Sequence, residues 1–380
     1  MPASKPGCTL RLNDDEALGL LTALYEEGAI QFIQVQVIPL PRRSFREHLD
    51  RIAAAGIPAV IHAPHHSHGV NPCAPAIRDN RPLAVIEAHI EEAMNQAFEA
   101  ADTLGAETIV LHAGRYEPGG RAAAEETFAA FLDRHKDPRL TLENLPAVHA
   151  GCPLLGNTAG ELAALAGTKI TRFCLDFPHL ACTTNYRQIS FAEELARFEA
   201  LNVTLHHLSN VRRGSITDEH LELDHPEGGL DLEAVFSRLR RHPEIPTVLE
   251  YKRDPAVYLS QVRVFAQLRE ELASLEKVQD TLSDNQLIQL RLINELKEKA
   301  SHGSPATTKK TIDHIDELHR LMIEEKTQQV SIAKAARLLG ISKERMRQLK
   351  PLILKDDRFE IGWASVAGRK GAVIRIHKFL

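Results

Sequence analysis

Several things are scarce in this sequence, and each scarcity excludes something. The 380 residues include one tryptophan, and aromatics make up 5%. No apolar run approaches the length needed to span a bilayer, which argues against a membrane protein. The five cysteines (Cys8, Cys73, Cys152, Cys174, Cys182) are odd in number and form no CxxC pair. Free thiols in a reducing compartment fit that pattern better than a disulfide framework or a thiolate zinc site. The first residues, "MPASKPGCTLRLNDDEA", lack the basic-then-apolar layout of a secretion signal. A cytoplasmic location is expected. No glycine-rich phosphate loop follows the first apolar run, which weakens a dinucleotide-binding open sheet.

Histidine is plentiful: there are 19, and fifteen precede residue 243. Charge is unevenly spread. Residues 301–380 hold 16 Lys+Arg against 9 Asp+Glu, a net of +7, and the rest of the chain carries −12. An acidic body with a basic tail points to a polyanionic partner for the tail.

From residue 8 to about 256, short apolar runs alternate with amphipathic helical stretches. The runs are "CTLRL", "QFIQVQVI", "AVIHAP", "TIVLHAG", "RLTLENLP", "RFCLDFPH", "NVTLHHLSN" and "PTVLEYK". Eight such units predict a (β/α)8 TIM barrel over 1–256. Residues 257–300 read as one or two long helices that pack on the barrel or pair as a dimer coiled coil. With the Ser-, Gly- and Pro-containing stretch 301–308 they form a helical connector and linker, 257–308. Residues 309–380 read as a small winged-helix-like domain: a helix, the stretch "SIAKAARLLGISKERMRQLK" with a turn at Gly340, and a strand pair around "AGRKGA". Ser342 is the expected cap of the second helix of that stretch. Lys343, Arg345 and Arg347 are the expected DNA contacts there, with Arg369 and Lys370 on the wing. The alternative is an oligomerisation or protein-docking domain.

Catalytic residues of such barrels sit at the C-terminal strand ends. Those ends carry His62, His112, Glu143, Asp176 with His179, His207, then Asp218 and His220 in the following loop, and Glu250. Nine oxygen and imidazole donors, without a thiolate, suit zinc, manganese or iron. They exceed the needs of one ion, so two or three ions are expected, able to ionise a water and clamp a phosphate. Asp224 and His225 compete with Asp218 and His220, and His206 competes with His207. The stretch "VIHAPHHSHG" supplies His62, while His65, His66 and His68 fall in the loop beyond it.

The order His, His, Glu, Asp-x-x-His, His, Asp-x-His, Glu along eight strands resembles the endonuclease IV family of abasic-site endonucleases, within the xylose isomerase-like barrels. The resemblance covers roughly residues 8–255 and is most specific at "LTLENLP", "CLDFPH", "HLSN" and "VLEY". The match of "HLSN" favours His207. The resemblance implies a trinuclear zinc site, a DNA-repair type of activity, and attack of a metal-bound hydroxide on a DNA phosphodiester. Glu143 is then the catalytic, bridging carboxylate. It shares one ion with His62 and His112 and a second with Asp176, His207 and Glu250, while His179, Asp218 and His220 hold a third. The family's tyrosine-containing segment after the first histidine is replaced here by "APHHSHGVNP", which has no aromatic. Two other readings compete: a sugar isomerase or epimerase of the same superfamily, with Lys252 near the sugar, and a DNA-binding regulator with the barrel as a sensor.

Overall fold

The computed structural model describes the backbone of residues 5–251, 255–274, 306–325, 329–353, 355–356, 358–366 and 369–376, and the side chains of these apart from 306–312, 351 and 361–372. The chain forms two compact units, Met1–Val278 and Gln279–Leu380.

The first unit is built on eight short parallel strands: β1 (Gly7–Arg11), β2 (Phe32–Gln36), β3 (Ala59–His62), β4 (Ile109–Leu111), β5 (Leu140–Glu143), β6 (Arg172–Asp176), β7 (Val203–Leu208) and β8 (Thr247–Leu249). They close in the order β1-β8-β7-β6-β5-β4-β3-β2. This is the (β/α)8 barrel expected from the alternation of runs. Each strand is followed by helix, and the helices pack their apolar faces on the outside of the sheet. The first of them, α1 (Asp15–Glu26), is capped by Asp14, whose side chain accepts from the backbone N–H of Ala17 at 2.9 Å. Another, α2 (Leu83–Leu104), stops at Gly105, where φ is 63°. That left-handed conformation is open to glycine and ends a helix cleanly.

Inside the barrel, period-two alternation stacks two layers of side chains. A lower apolar plug contains Phe32, Val110, Cys174, Leu205 and Val248, with Val60 against it. Two residues further along each of those strands the inward position is polar: Gln34, His112, Asp176, His207, Glu250 and His62. The register ties these together across neighbours, pairing Gln36 with His62, Glu143 with Cys174 and Asp176 with His207. The same alternation turns His206 outward, against Arg238 and Phe177.

A helix at 257–274 closes the first unit. Its Tyr258, Val262 and Phe265 are buried in the barrel's outer core. The compact unit therefore runs past residue 256, to Val278. The rest of the expected connector, 275–305, lies outside the described residues.

The second unit contains a helix Ala306–Glu324, a strand Gln329–Ser331, helices Ile332–Leu338 and Lys343–Ile353, and a strand pair Phe359–Val366 and Arg369–Ile376. The three strands form one antiparallel sheet with Arg369–Ile376 in the centre. Ser331 and Ser342 cap the two shorter helices through the N–H groups of Lys334 and Arg345. Leu318, Met322, Ala335, Met346, Leu349 and Ile374 are among its core residues.

Candidate metal centre

The C-terminal rim of the barrel gathers all nine donors expected from the strand ends. Glu143, on β5, is at their centre and is 1% exposed. Its two oxygens face different neighbours. Oε2 lies 2.9 Å from His112 Nε2 and 3.4 Å from His62 Nε2. Oε1 lies 3.1 Å from His179 Nδ1 and 3.4 Å from His207 Nδ1. The Nδ1 of His207 is also 3.4 Å from Glu250 and 3.8 Å from Asp176. A third group adjoins these: His179 Nε2 is 3.6 Å from Asp218 Oδ2, which also contacts His220 Nε2.

Hydrogen bonds from behind fix which ring nitrogen faces the cluster. Nδ1 of His62 bonds the carbonyl of Ala63 at 2.8 Å, Nδ1 of His179 that of Asn144 at 2.9 Å, and Nδ1 of His220 that of Glu250 at 3.1 Å. A ring that donates from Nδ1 keeps its Nε2 lone pair for the site. His207 is turned the other way. Its Nε2 donates to Gln34 Oε1 at 2.7 Å, which leaves Nδ1 for the cluster. The amide N–H of Gln34 donates to Glu250. Gln34 therefore orients two donors at once, and strand reading alone did not single it out. Its legible trace is a glutamine inside an otherwise apolar buried strand, where an unpartnered amide would be costly.

Backbone geometry is also specialised here. Asp176 caps helix α3 (Phe177–Arg187) by accepting from His179 N at 2.6 Å, so the DFPH turn holds donor and helix start together. The side chain of Asn144 braces that turn by bonding Asp176 N and O at 2.7 and 2.9 Å. His220 has a φ of 49°, a left-handed conformation that costs energy for a residue with a β-carbon and that clusters at functional sites. The rival pair is not in the cluster. Asp224 accepts from Gln261 at 2.8 Å, and His225 accepts from the N–H of Glu227.

The electrostatics of the cluster set buried acids against imidazoles. Burial raises the Asp176 carboxyl to about 7, with Glu143 and Asp218 adding to the rise. Burial also opposes ionisation of Glu143, but His112 and His207 overcome it and hold that carboxyl well below the usual range. Against their burial, His179 is driven well above the ordinary imidazole value by Asp176, Asp218 and Glu143, and His207 by Cys174, Glu250 and Glu143. Protons on these rings are one way to offset the carboxylates, and divalent cations on the same nitrogens are another. Glu143 Oε1 is buried without a well-formed hydrogen bond, as expected for an atom whose partner is a metal. The triplets His62–His112–Glu143, Glu143–Asp176–His179 and Asp176–His207–Glu250 each place their donor atoms within 4.8 Å of one another. The residues fit zinc, manganese or iron.

The cluster opens into a cavity of about 390 Å³. Arg11, Gln36, His65, His66, His68 and His149 line it as well. The three loop histidines thus lie on the wall of the same cavity that His62 enters. Burial and the imidazoles of His112 and His62 hold His65 well below the usual value, and burial pushes His68 down to about 4.

The expected DNA contacts belong to the second unit. Lys343 and Arg347 are exposed on Lys343–Ile353, where Arg347 pairs with Glu344 at 3.2 Å and Arg345 donates to Gln348 at 3.1 Å. Arg369 and Lys370 are on the central strand, with side chains outside the described residues, as is Lys252 entirely.

Two outcomes test the centre. Gln34→Leu removes the acceptor for His207 and the donor for Glu250 while keeping the strand apolar. Zinc affinity, measured by competition with a chromogenic chelator, should fall about 10- to 100-fold with little change in the folded circular-dichroism spectrum. Because cations displace protons from His179 and His207, zinc binding at pH 7 should release protons and weaken as pH falls. Calorimetry in buffers of different ionisation enthalpy reads this directly, and a pH-independent affinity would contradict it.

Comparison with known proteins agrees with the fold. No curated protein sequence matches the chain significantly. Endonuclease IV from Thermus thermophilus is 22% identical, with 70% of this chain and 99% of that one covered and a TM-score of 0.49. An L-ribulose 3-epimerase is 16% identical, with 72% and 97% covered and a TM-score of 0.49. An AP endonuclease of family 2 from Brucella melitensis is 16% identical, with 69% and 98% covered and a TM-score of 0.48. They do not discriminate between a nuclease and an epimerase. The family model of the xylose isomerase-like TIM barrel matches residues 25–278, about two thirds of the sequence, and the chain belongs to that family.

Proposed function

We propose that the chain is a metal-dependent phosphodiesterase that cuts DNA. One observation carries this reading: His179, Asp218 and His220 form a third group of donors beside Glu143, Asp176, His207 and Glu250. A site built for one or two ions has no need of that third group. Bound divalent cations supply a water that ionises near neutrality and a clamp for phosphate oxygens.

The chain's own contribution is positional. Glu143 presents Oε2 to His62 and His112 and Oε1 to His179 and His207, so it would be shared between two groups of donors. His62, His179 and His220 are held by backbone carbonyls. The site lies in the mouth of the barrel, where the low-dielectric walls strengthen charge interactions.

The second unit supports a DNA partner. Two short helices joined by a turn, then a strand pair, have the layout of a winged helix-turn-helix. Lys343, Arg345 and Arg347 lie on the second of these helices. Non-specific affinity for the phosphate backbone would come from them and from Arg369 and Lys370.

The test is elemental analysis of the purified chain, followed by incubation with single-stranded, duplex and abasic DNA with and without chelator. Two or three zinc ions per chain and chelator-sensitive cleavage are expected, with Glu143→Gln reducing cleavage to background. Cleavage that survives Glu143→Gln would rule the centre out. One ion per chain together with turnover of a ketose would favour the isomerase or epimerase reading instead. For the tail, Lys343→Ala and Arg347→Ala should each weaken duplex binding about equally across sequences and reduce the salt slope by about 1. An unchanged slope would assign this unit to a protein partner.

A further inference from the structure

The third group of donors is carried differently from the rest. His62, His112, Glu143, Asp176, His207 and Glu250 lie at or just beyond strand ends, and His179 lies in the first turn of a helix. Asp218 and His220 belong to the long loop 209–231, between β7 and the helix Leu232–Arg241. His220 also has the left-handed φ of 49°. A strained residue of this kind persists only where its surroundings over-determine it.

The loop is fixed from two sides. Near its start, Asn210 and Leu221 exchange backbone hydrogen bonds of 2.8 Å in each direction. Two residues on, both backbone groups of Leu223 are taken by side-chain amides. Its carbonyl accepts from Asn210 Nδ2 at 2.9 Å, and its N–H donates to Gln261 Oε1 at 2.8 Å. Gln261 comes from the helix at 257–274. It is 2% exposed and stands beside the apolar stripe of Tyr258, Val262 and Phe265. An amide buried there is costly unless its hydrogen bonds are made. Oε1 also accepts from the hydroxyl of Tyr251 at 3.2 Å, and Nε2 donates to Asp224 at 2.8 Å. Tyr251 follows Glu250, whose carbonyl bonds His220 Nδ1 at 3.1 Å. Gln261 therefore ties together the two segments, 221–224 and 250–251, that hold His220 in place.

We propose that Gln261 is a positioning residue for the third group. Through Leu223, Asp224 and Tyr251 it keeps Asp218 and His220 against His179. The helix that follows the last barrel strand is on this account part of the metal centre. The other donors are oriented by contacts that Gln261 does not touch: Ala63 for His62, Asn144 for His179 and Gln34 for His207. Loss of the amide should then weaken one ion and spare the others. The proposal rests on reading His179, Asp218 and His220 as donors to an ion of their own.

Full-length protein is loaded with zinc, counted by elemental analysis and titrated against a chromogenic chelator. Gln261→Met keeps the length of the side chain and removes the acceptor of the Leu223 N–H. It should weaken one ion about tenfold or more and leave the others unchanged. His220→Ala should lose the same ion, and adding Gln261→Met to it should change nothing further, since the two act as a unit. The pair Gln261→Glu with Asp224→Asn should restore binding. A Glu oxygen accepts from Leu223 and Tyr251, and the Asn amide donates to the other oxygen. Should Gln261→Met not fold, Gln261→Glu alone carries the test. Its carboxylate faces that of Asp224, so the same ion should weaken, and Asp224→Asn should bring it back. Val262→Ala loosens the same helix and keeps these hydrogen bonds. It should lower the melting temperature without singling out an ion.

Weakening spread over all ions, no recovery in the exchanged pair, or the same selective loss in Val262→Ala would overturn the proposal. Selective loss of one ion in a chain that cuts no DNA keeps this role and removes the proposed function. DNA cleavage together with Gln261→Met indifferent at every ion removes this role alone. A chain that takes up no ion through His220 loses both.

Discussion

The structure of the barrel mouth depends on keeping four carboxylates buried beside one another. Glu143 and Asp176 are about 1% exposed, and the side chains of Asp218 and Glu250 are 5% and 12% exposed. Left unpaired, each would cost several kcal/mol, and each neighbour of like charge would raise that cost. The chain meets this by placing imidazoles between the acids and by locking His62, His179, His207 and His220 from behind. A parallel barrel is suited to the task, because all eight strands deliver their last inward residue to one rim.

That arrangement was largely legible in the sequence. A parallel strand buried on both faces reads as an apolar run, and a polar residue that ends such a run stands out. "IVLHAG", "LTLEN", "FCLDF" and "TVLEY" each show one such residue, and His112, Glu143, Asp176 and Glu250 all lie on the rim. The eight runs predicted the eight strands because each is a mostly buried stretch between turn-forming segments. The helix at 257–274 was legible as a helix, and packing on the barrel was one of two places open to it. Its packing depends on Tyr258, Val262 and Phe265 meeting a surface assembled from distant segments.

What could not be read depends on contacts far apart in the chain. Nothing near Asp224 tells that Gln261, 37 residues later, takes its carboxylate and leaves Asp218 for the cluster. Gln34 looks like any polar residue in "QFIQVQVI" until β7 and β8 bring His207 and Glu250 to its two ends. His206 and His207 differ only in the face that strand alternation gives them, and that face is set by barrel closure. The strand Gln329–Ser331 escapes a local reading because its three residues pair with Ile374 and its neighbours, over forty positions away. In "HAPHHSHG" the composition shows four equivalent histidines. The folded chain separates them: a carbonyl holds Nδ1 of His62 so that its Nε2 faces Glu143, while His65 and His68 lie at a tight turn on the cavity wall.

Charge counting bears on the choice between a neutral sugar and a phosphate as substrate. Four carboxylates set the cluster at −4 when ionised, and neutral imidazoles do not change that. Two divalent cations bring it to zero, a state suited to an uncharged sugar. A third cation, for which His179, Asp218 and His220 would be the added donors, would take it to +2. A positive cluster in a low-dielectric mouth attracts an anion and stabilises charge that develops on it. Arg11 on the opposite wall strengthens the same field, and Asp14, which lines that wall too, is turned to its helix cap. The third group of donors and the arginine would both be a liability for a sugar site. For a phosphodiester they act in the same direction.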